Sequence, residues 1–261
     1  MIFDEVPTTV RAGAMVFSGG AGDDGFFIEK WKGWGPVATK RSITKRSNAA
    51  GSFPTQGYPD DRTLIFSGRC HANGAERMGW FENQFSGLFM DGLGGRVLVE
   101  HGGYVTWAYG FRADQPDFES EIPGSTSTYQ LGLWFPDPRK FGLITPDQIF
   151  SGPHGVNIIT QNDGNYEARP VMTVSGNMPG GYLVNGPNAL GYGVTHAVVP
   201  GHPHVIDMND GSLTIDGVRI YGATPINADT WGVPPAGQAV QILHPASGTG
   251  NLSIAVPPTY I

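Results

Sequence analysis

Apolar and polar residues alternate in short blocks along most of this 261-residue chain. The clearest block is Asp61–Ala72, DRTLIFSGRCHA, where Leu64, Phe66, Gly68 and Cys70 share one face and predict a half-buried β-strand. The same period of two predicts strands at Arg96–Glu100, Tyr104–Arg112 and Thr126–Phe135. One stretch departs from it. Within Ala75–Met90 the residues Met78, Phe81, Phe85, Leu88 and Phe89 recur three and four apart, as on one face of a helix, and Gly92, Gly94 and Gly95 then stop it. AMVFS and FFIEKW flank the turn GGAGDDG, so residues 14–30 are predicted to fold back as a hairpin with a long loop. Residues 51–60 and the acidic run 113–125 are expected as exposed loops.

The strand that ends at Phe135 runs into Pro136-Asp137-Pro138-Arg139-Lys140-Phe141-Gly142. Each proline lacks an N–H and fixes φ near −65°, so a ladder cannot continue through the pair. Arg139 and Lys140 therefore place two positive charges at the end of a strand. On residue chemistry alone this is a strand terminator with a solvated basic tip.

Composition changes just beyond that corner. Residues 1–145 hold 14 basic and 16 acidic side chains, whereas residues 146–261 hold 2 and 7, with five of the seven histidines and 13 of the 21 prolines. A domain boundary near residue 145 follows. In the second half, strands are predicted at Val171–Ser175, His204–Met208, Ser212–Ile215, Val218–Tyr221, Ala239–Leu243 and Asn251–Val256. Asn209-Asp210-Gly211 and Asp216-Gly217 supply turns that tolerate positive φ.

The 39 glycines, set among short apolar runs, favour many strands and tight turns over helix bundles. An apolar content of 39% with six tryptophans is enough for a core. The formal charge of −7 argues against a surface that grips nucleic-acid phosphates. Cys70 is the single cysteine, which rules out an internal disulfide and predicts a buried, inert thiol. The N-terminal MIFDEVPTTVRAG has no apolar leader, and nowhere do 18 apolar residues run together, so no secretory leader and no membrane-spanning helix are expected. The chain is expected to fold in a cytoplasm.

Candidate chemistry is sparse. His196, His202, His204 and Asp207 form the best metal candidate, since an extended His202-Pro203-His204 puts two imidazoles on one face. Pro203 distorts that strand, and no metal site is expected. Asp207, Asn209, Asp210 and Gly211 are similar to a calcium loop but too short, without the distal Glu. Cys70 has only His71 beside it, on the opposite face, and Gly19–Gly22 precedes acids rather than Lys-Ser/Thr, so neither a nucleophile nor a phosphate cradle is expected. Trp31 and Trp34 are expected as strand-end core anchors, and Lys40, Arg41, Lys45 and Arg46 as solvated edge charge. No catalytic residue and no cofactor is expected. Two other functions stay open: carbohydrate binding through Trp231, Tyr182 or Tyr192, and glycan cleavage with acids such as Asp207 and Asp210.

The order of these features carries a resemblance. Gly57-Tyr58 ahead of Asp61-Arg62-Thr63, then FSGR at 66–69, one helix, three strands and the DPRK corner resemble, over residues 15–142, the first domain of distal tail proteins from long, flexible-tailed phages. Asn162-Asp163-Gly164-Asn165, Ala168-Arg169-Pro170 with its apolar strand, and Trp231–Gly237 resemble that family's second domain. The resemblance implies a mainly β protein. Residues 1–145 would form a β-barrel-like unit with one helix, whose copies close into a hexameric ring. Residues 146–261 would form a jelly-roll, lectin-like β-sandwich. It further implies a structural part of the virion at the tail tip, assembled in the host cytoplasm and joining the tail tube to the tip or baseplate around a DNA channel. Its partners would be other copies, the tail tube protein, the tape measure protein and a tail-tip hub or receptor-binding protein. DNA would only pass through, and no membrane insertion is implied. Asp137, Pro138, Arg139 and Lys140 are then candidates for assembly.

Overall fold

The structure is a computed structural model that describes residues 9–20, 22–223 and 228–261. Residues 1–8 of the stretch searched for a leader, and Ala21 of the GGAGDDG turn, lie outside the described residues. The chain divides into two compact units, one up to Lys140 and one from Phe141 to Tyr260.

The first unit contains β1 (Thr9–Ala12), β2 (Met15–Ser18), β3 (Gly25–Lys32), β4 (Thr39–Lys40), β5 (Tyr58–Pro59) and β6 (Arg62–His71). Helix α1 (Ala75–Gly87) follows, then β7 (Gly95–His101), β8 (Tyr104–Arg112), β9 (Asp117–Ile122) and β10 (Thr126–Phe135). Strands are hydrogen-bonded in the order β8-β7-β1-β2-β3-β6-β10-β9. β10 also pairs back onto β8 through Leu133↔Arg112 and Trp134↔Phe111, so seven strands close on themselves and β9 is left as an edge. Closure removes the exposed edges that an open sheet would present.

Inward positions alternate as the sequence pattern requires: Leu64, Phe66, Gly68 and Cys70 of β6 are all buried. Phe17, Phe26, Phe66, Phe85 and Tyr129 form one aromatic cluster, and α1 caps it with Met78, Phe81 and Phe85. Gly68 is required at a close approach, because a Cβ there would sit 1.9 Å from the Phe27 carbonyl oxygen.

Three expectations are corrected. Residues 14–30 do not form a hairpin: β2 turns back on β1 through Gly13 and Ala14, and β2 and β3 run parallel. The reason is ladder length. β3 shares seven antiparallel pairs with β6 and only two parallel pairs with β2, so β6 sets its direction. The helix stops at Gly87 rather than Met90, because Leu88 turns extended (φ −60°, ψ 118°) and Phe89 has φ +52°. Both still reach the core, Leu88 buried and Phe89 packed against it, which is why helical spacing persisted past the helix. Residues 117–122 are not loop but strand β9, an edge strand with a single buried-side anchor, Phe118.

In the second unit β11 (Lys140–Gly142), shared at the boundary, is followed by β12 (Ile149–Pro153), β13 (Ile158–Gln161), β14 (Val171–Asn177), β15 (Tyr182–Asn185) and β16 (Gly191–Val194). Then come β17 (His204–Asp207), β18 (Ser212–Ile215), β19 (Val218–Ile220), β20 (Gln238–Pro245), β21 (Thr249–Ala255) and β22 (Thr259–Tyr260). One sheet has the order β12-β21-β14-β17-β18-β19 and the other β13-β20-β15-β16. Leaving aside the β18–β19 extension, the eight remaining strands, β12-β21-β14-β17 in one sheet and β13-β20-β15-β16 in the other, follow the double Greek key of a jelly roll. Met172, Val174, Ile206, Leu252 and Ile254 from one sheet meet Val184, Tyr192, Val194 and Leu243 from the other in a single core. The chain is thus mainly β, a barrel-like unit with one helix and a jelly-roll sandwich.

Candidate functional site

The corner after β10 is built around a buried cation. Arg62 opens β6 at an inward position, in step with Leu64 and Phe66, and is only 1% exposed. Its Nε and Nη2 each donate to the Pro138 carbonyl at 3.1 Å, and Nη1 donates to the carbonyls of Gly33 (3.0 Å) and Gly35. Gly33 has φ +100°, and a Cβ there would strike the Thr63 carbonyl, so only glycine lets this carbonyl reach the guanidinium. Trp34 lies beneath, its ring centroid 5.6 Å from the guanidinium carbon and its Nε1 donating to Thr106 Oγ1 at 3.0 Å. Burial pulls the Arg62 pKa down to about 10, still charged at neutral pH.

The four corner residues split into two roles. Asp137 Oδ1 accepts the Arg139 backbone N–H (3.0 Å), and the Arg139 guanidinium grips both carboxylate oxygens at 2.7–3.0 Å. This closes the turn on itself. Pro138 contributes its carbonyl to Arg62, and Lys140 Nζ donates to the Trp34 carbonyl at 2.9 Å. Burial first, then the Arg62 charge, lowers the Lys140 pKa to about 8. The expectation of a solvated basic tip is therefore corrected: Lys140 is half-buried against Trp34, and Arg139 is folded back onto Asp137. Among the described residues neither Arg62 nor Lys140 forms an ion pair, so backbone carbonyls and the face of Trp34 stabilise two adjacent cations.

In the second unit the histidines do not gather. His202 Nδ1 pairs with Asp216 Oδ2 at 2.6 Å, while His204 is buried, its Nδ1 3.2 Å from the Tyr182 hydroxyl and its ring 5.7 Å from that of His196. No group of three metal-ligating side chains occurs among the described residues. Asp207 caps the turn by accepting from Asn209, and Asp210 accepts from Ser212 N and meets Arg219 at 3.3 Å. Both carboxylates are thus committed to the β17–β18 turn. Trp231, Tyr182 and Tyr192 are all buried, at 3%, 4% and 0% exposure, so the three rings proposed for a sugar platform are core residues. Cys70 is fully buried, and burial pushes its thiol up to about 12, with Asp24 adding to the effect.

No family model matches the sequence, and no curated protein matches it. Solved structures do. The Dit protein of phage SPP1, described as a paradigm of the hub adsorption apparatus in phages that infect Gram-positive hosts, superimposes with a TM-score of 0.66 at 11% identity, covering 90% of this chain and 93% of that one. The chain has the fold of a phage distal tail protein. A chain of the phage P2 baseplate in its activated conformation with Ca matches with TM-scores of 0.59 at 8% identity, over 94% of this chain and 97% of that one. The same baseplate with Sr gives 0.57 at 8% identity, over 94% and 96%. The distal tail fold therefore spans both units, barrel and sandwich alike.

Sequence reasoning missed Arg62 as the centre of the corner, although a signal was present. Arg62 has the same parity as Leu64, Phe66 and Cys70, and a charged residue in step with a buried face must find partners inside.

Proposed function

We propose that this chain is a structural component of a phage tail tip, a distal tail protein whose copies close into a ring of six between the tail tube and the tip or baseplate. The observation that carries this reading is the likeness to SPP1 Dit through both units at once, over 90% of this chain and 93% of that one. On this reading residues 1–145 make the ring. The partners are further copies, the tail tube protein, the tape measure protein and a hub or receptor-binding protein, and the place is the virion tail tip after assembly in the host cytoplasm. The formal charge of −7 suits a channel wall, since a surface that repels phosphates lets DNA pass without binding it. The role is assembly rather than catalysis: Asp207 and Asp210 are occupied as turn caps and the Cys70 thiol is sealed in the core. Carbohydrate binding loses its named contacts with the burial of Trp231, Tyr182 and Tyr192. No helix among the described residues is long and apolar enough to cross a membrane.

The test is the mass of the full chain by light scattering after size exclusion, alone at high concentration and with its tube protein, followed by negative-stain microscopy. Rings of six are expected. A stable dimer, or single particles in the presence of the tube protein, would overturn the reading.

A further inference from the structure

Two segments of the first unit lack partners in ways that fit each other. The first is residues 36–60, which leave the barrel after Trp34 and return at Asp61. β4 and β5 pair at its base, Asp60 N–H donating to Ala38 O. Further out, Phe53 N–H donates to Thr44 O and Arg46 N–H to Gly51 O. The result is an arm of two antiparallel legs of about eight residues each, paired as strand at β4–β5 and again at the Lys45–Ser52 bridge. Not one residue from 35 to 61 is buried. Ile43, Phe53 and Tyr58 are 67%, 56% and 60% exposed. An isolated two-stranded hairpin is marginal in water, so an arm of this length with bare apolar side chains calls for a surface to lie on. Residues 36–59 carry Lys40, Arg41, Lys45 and Arg46 and no acid.

The second segment is β9. It is the one strand of the unit's sheet that ends the order beyond β10, with a free edge and every side chain except Phe118 and its flank in solvent. Residues 113–123 carry Asp114, Asp117, Glu119 and Glu121 and no base. Glu121 shares Arg69 with Glu29, and Lys40 meets Asp60. Arg41, Lys45 and Arg46 on the arm and Asp114, Asp117 and Glu119 at the edge form no ion pair among the described residues.

We infer that the arm of one copy lies along the free edge of β9 of the next copy, extending its sheet and matching three unpaired cations to three unpaired acids. The occupant is a second copy of this chain because both halves of the match are present on every copy and face different partners, which is the head-to-tail arrangement that closes a ring. Strand addition supplies main-chain hydrogen bonds, and opposite charge sets which segment meets which edge. The inference rests on the ring reading above and names the contact that would close it.

The test uses the full chain and two charge-reversed variants. One changes Arg41, Lys45 and Arg46 to Glu; the other changes Asp114, Asp117 and Glu119 to Lys. Each variant, checked for native folding by circular dichroism, places like charge on both arm and edge. Alone, each should need ~10-fold or more protein to assemble. Mixed in equal amounts they should assemble as the unaltered chain does, since the acidic arm then meets the basic edge and the basic arm the acidic edge in alternation. Separate chains with Ser47→Cys and Ser120→Cys should cross-link on mixing, Cys70 being buried. If the unaltered chain forms rings and the arm variant forms them equally well, the arm contact is wrong and the ring reading stands. If both variants fail alone and the mixture also fails, the pairing of arm with edge is overturned. If the unaltered chain is monomeric at every concentration and with its tube protein, the ring reading falls and this contact with it.

Discussion

Among the buried polar side chains of the barrel the bulkiest is a cation, Arg62, held by the carbonyls of Gly33, Gly35 and Pro138. In the sandwich the most deeply buried are neutral: Thr160 donates to Ala239 O and Gln241 Oε1, and Asn162 Nδ2 to the carbonyls of Tyr166 and Val233. His204 stays with them, its pKa held below the ordinary value by burial and by His196, against a smaller opposing pull from the Ala197 backbone. Neutral groups need only hydrogen bonds, whereas a buried cation needs countercharge or several aligned dipoles. The drop in charge density past residue 145 thus has an interior counterpart. One unit is pinned at a charged point, and the other is sealed by neutral contacts spread along its sheets.

The sharpest way to break this contrast is to remove the pin. Arg62→Met strips donors from three carbonyls and should cost about 3–5 kcal/mol, read by urea unfolding of the full chain. Gln241→Leu in the sandwich leaves Thr160 its bond to Ala239 O and should cost about 1 kcal/mol. Equal losses in the two variants would abolish the distinction.

Acid should next find the sandwich. His204 has a lowered folded pKa, so as pH falls below 6.5 the unfolded chain takes up a proton that the folded chain resists, and stability drops. Melting temperatures between pH 7 and 5 should fall further for the unaltered chain than for His204→Gln. A parallel fall in both would assign the acid sensitivity to other groups.

The smallest expected effect is alkaline and lies in the barrel. Lys140 is a base whose folded pKa is lowered to about 8 from 10.5. Between those values the unfolded chain holds the proton and the folded chain has shed it, so stability rises with pH across that window. Relative to Lys140→Met, the unaltered chain should gain stability from pH 8 to 10, and a flat difference would mean that neither burial nor the Arg62 charge depresses Lys140.

Much of this was legible in the residues. Tyr104–Arg112 and Thr126–Phe135 are strands with the ends that alternation gives them, and the helix begins at Ala75 as its spacing requires. The helix end was not legible, because Leu88 and Phe89 keep reaching the core after the backbone has left helical geometry. The direction of β3 was hidden too: a Gly/Asp turn reads as a hairpin, and only the ladder to β6, 33 to 46 residues away in sequence, reverses it. β9 reads as loop because a strand held by one anchor, Phe118, has almost no alternation to show. Of the corner, the prolines and the strand end were visible. What was not visible is that Pro138 serves a side chain 76 residues earlier in the chain, and that Lys140 reaches a backbone carbonyl 106 residues earlier.

That separation imposes a timetable on synthesis. At ribosomal rates of about 5–20 residues per second, Arg62 waits roughly 4–15 s between its own emergence and that of Pro138. β10, which immediately precedes Pro138, is also the strand that closes the barrel on β8. Closure of the first unit and satisfaction of its buried cation therefore come late and within a few residues of each other, and a nascent chain cut before Pro138 keeps β10 but holds a guanidinium that lacks the carbonyl serving two of its nitrogens.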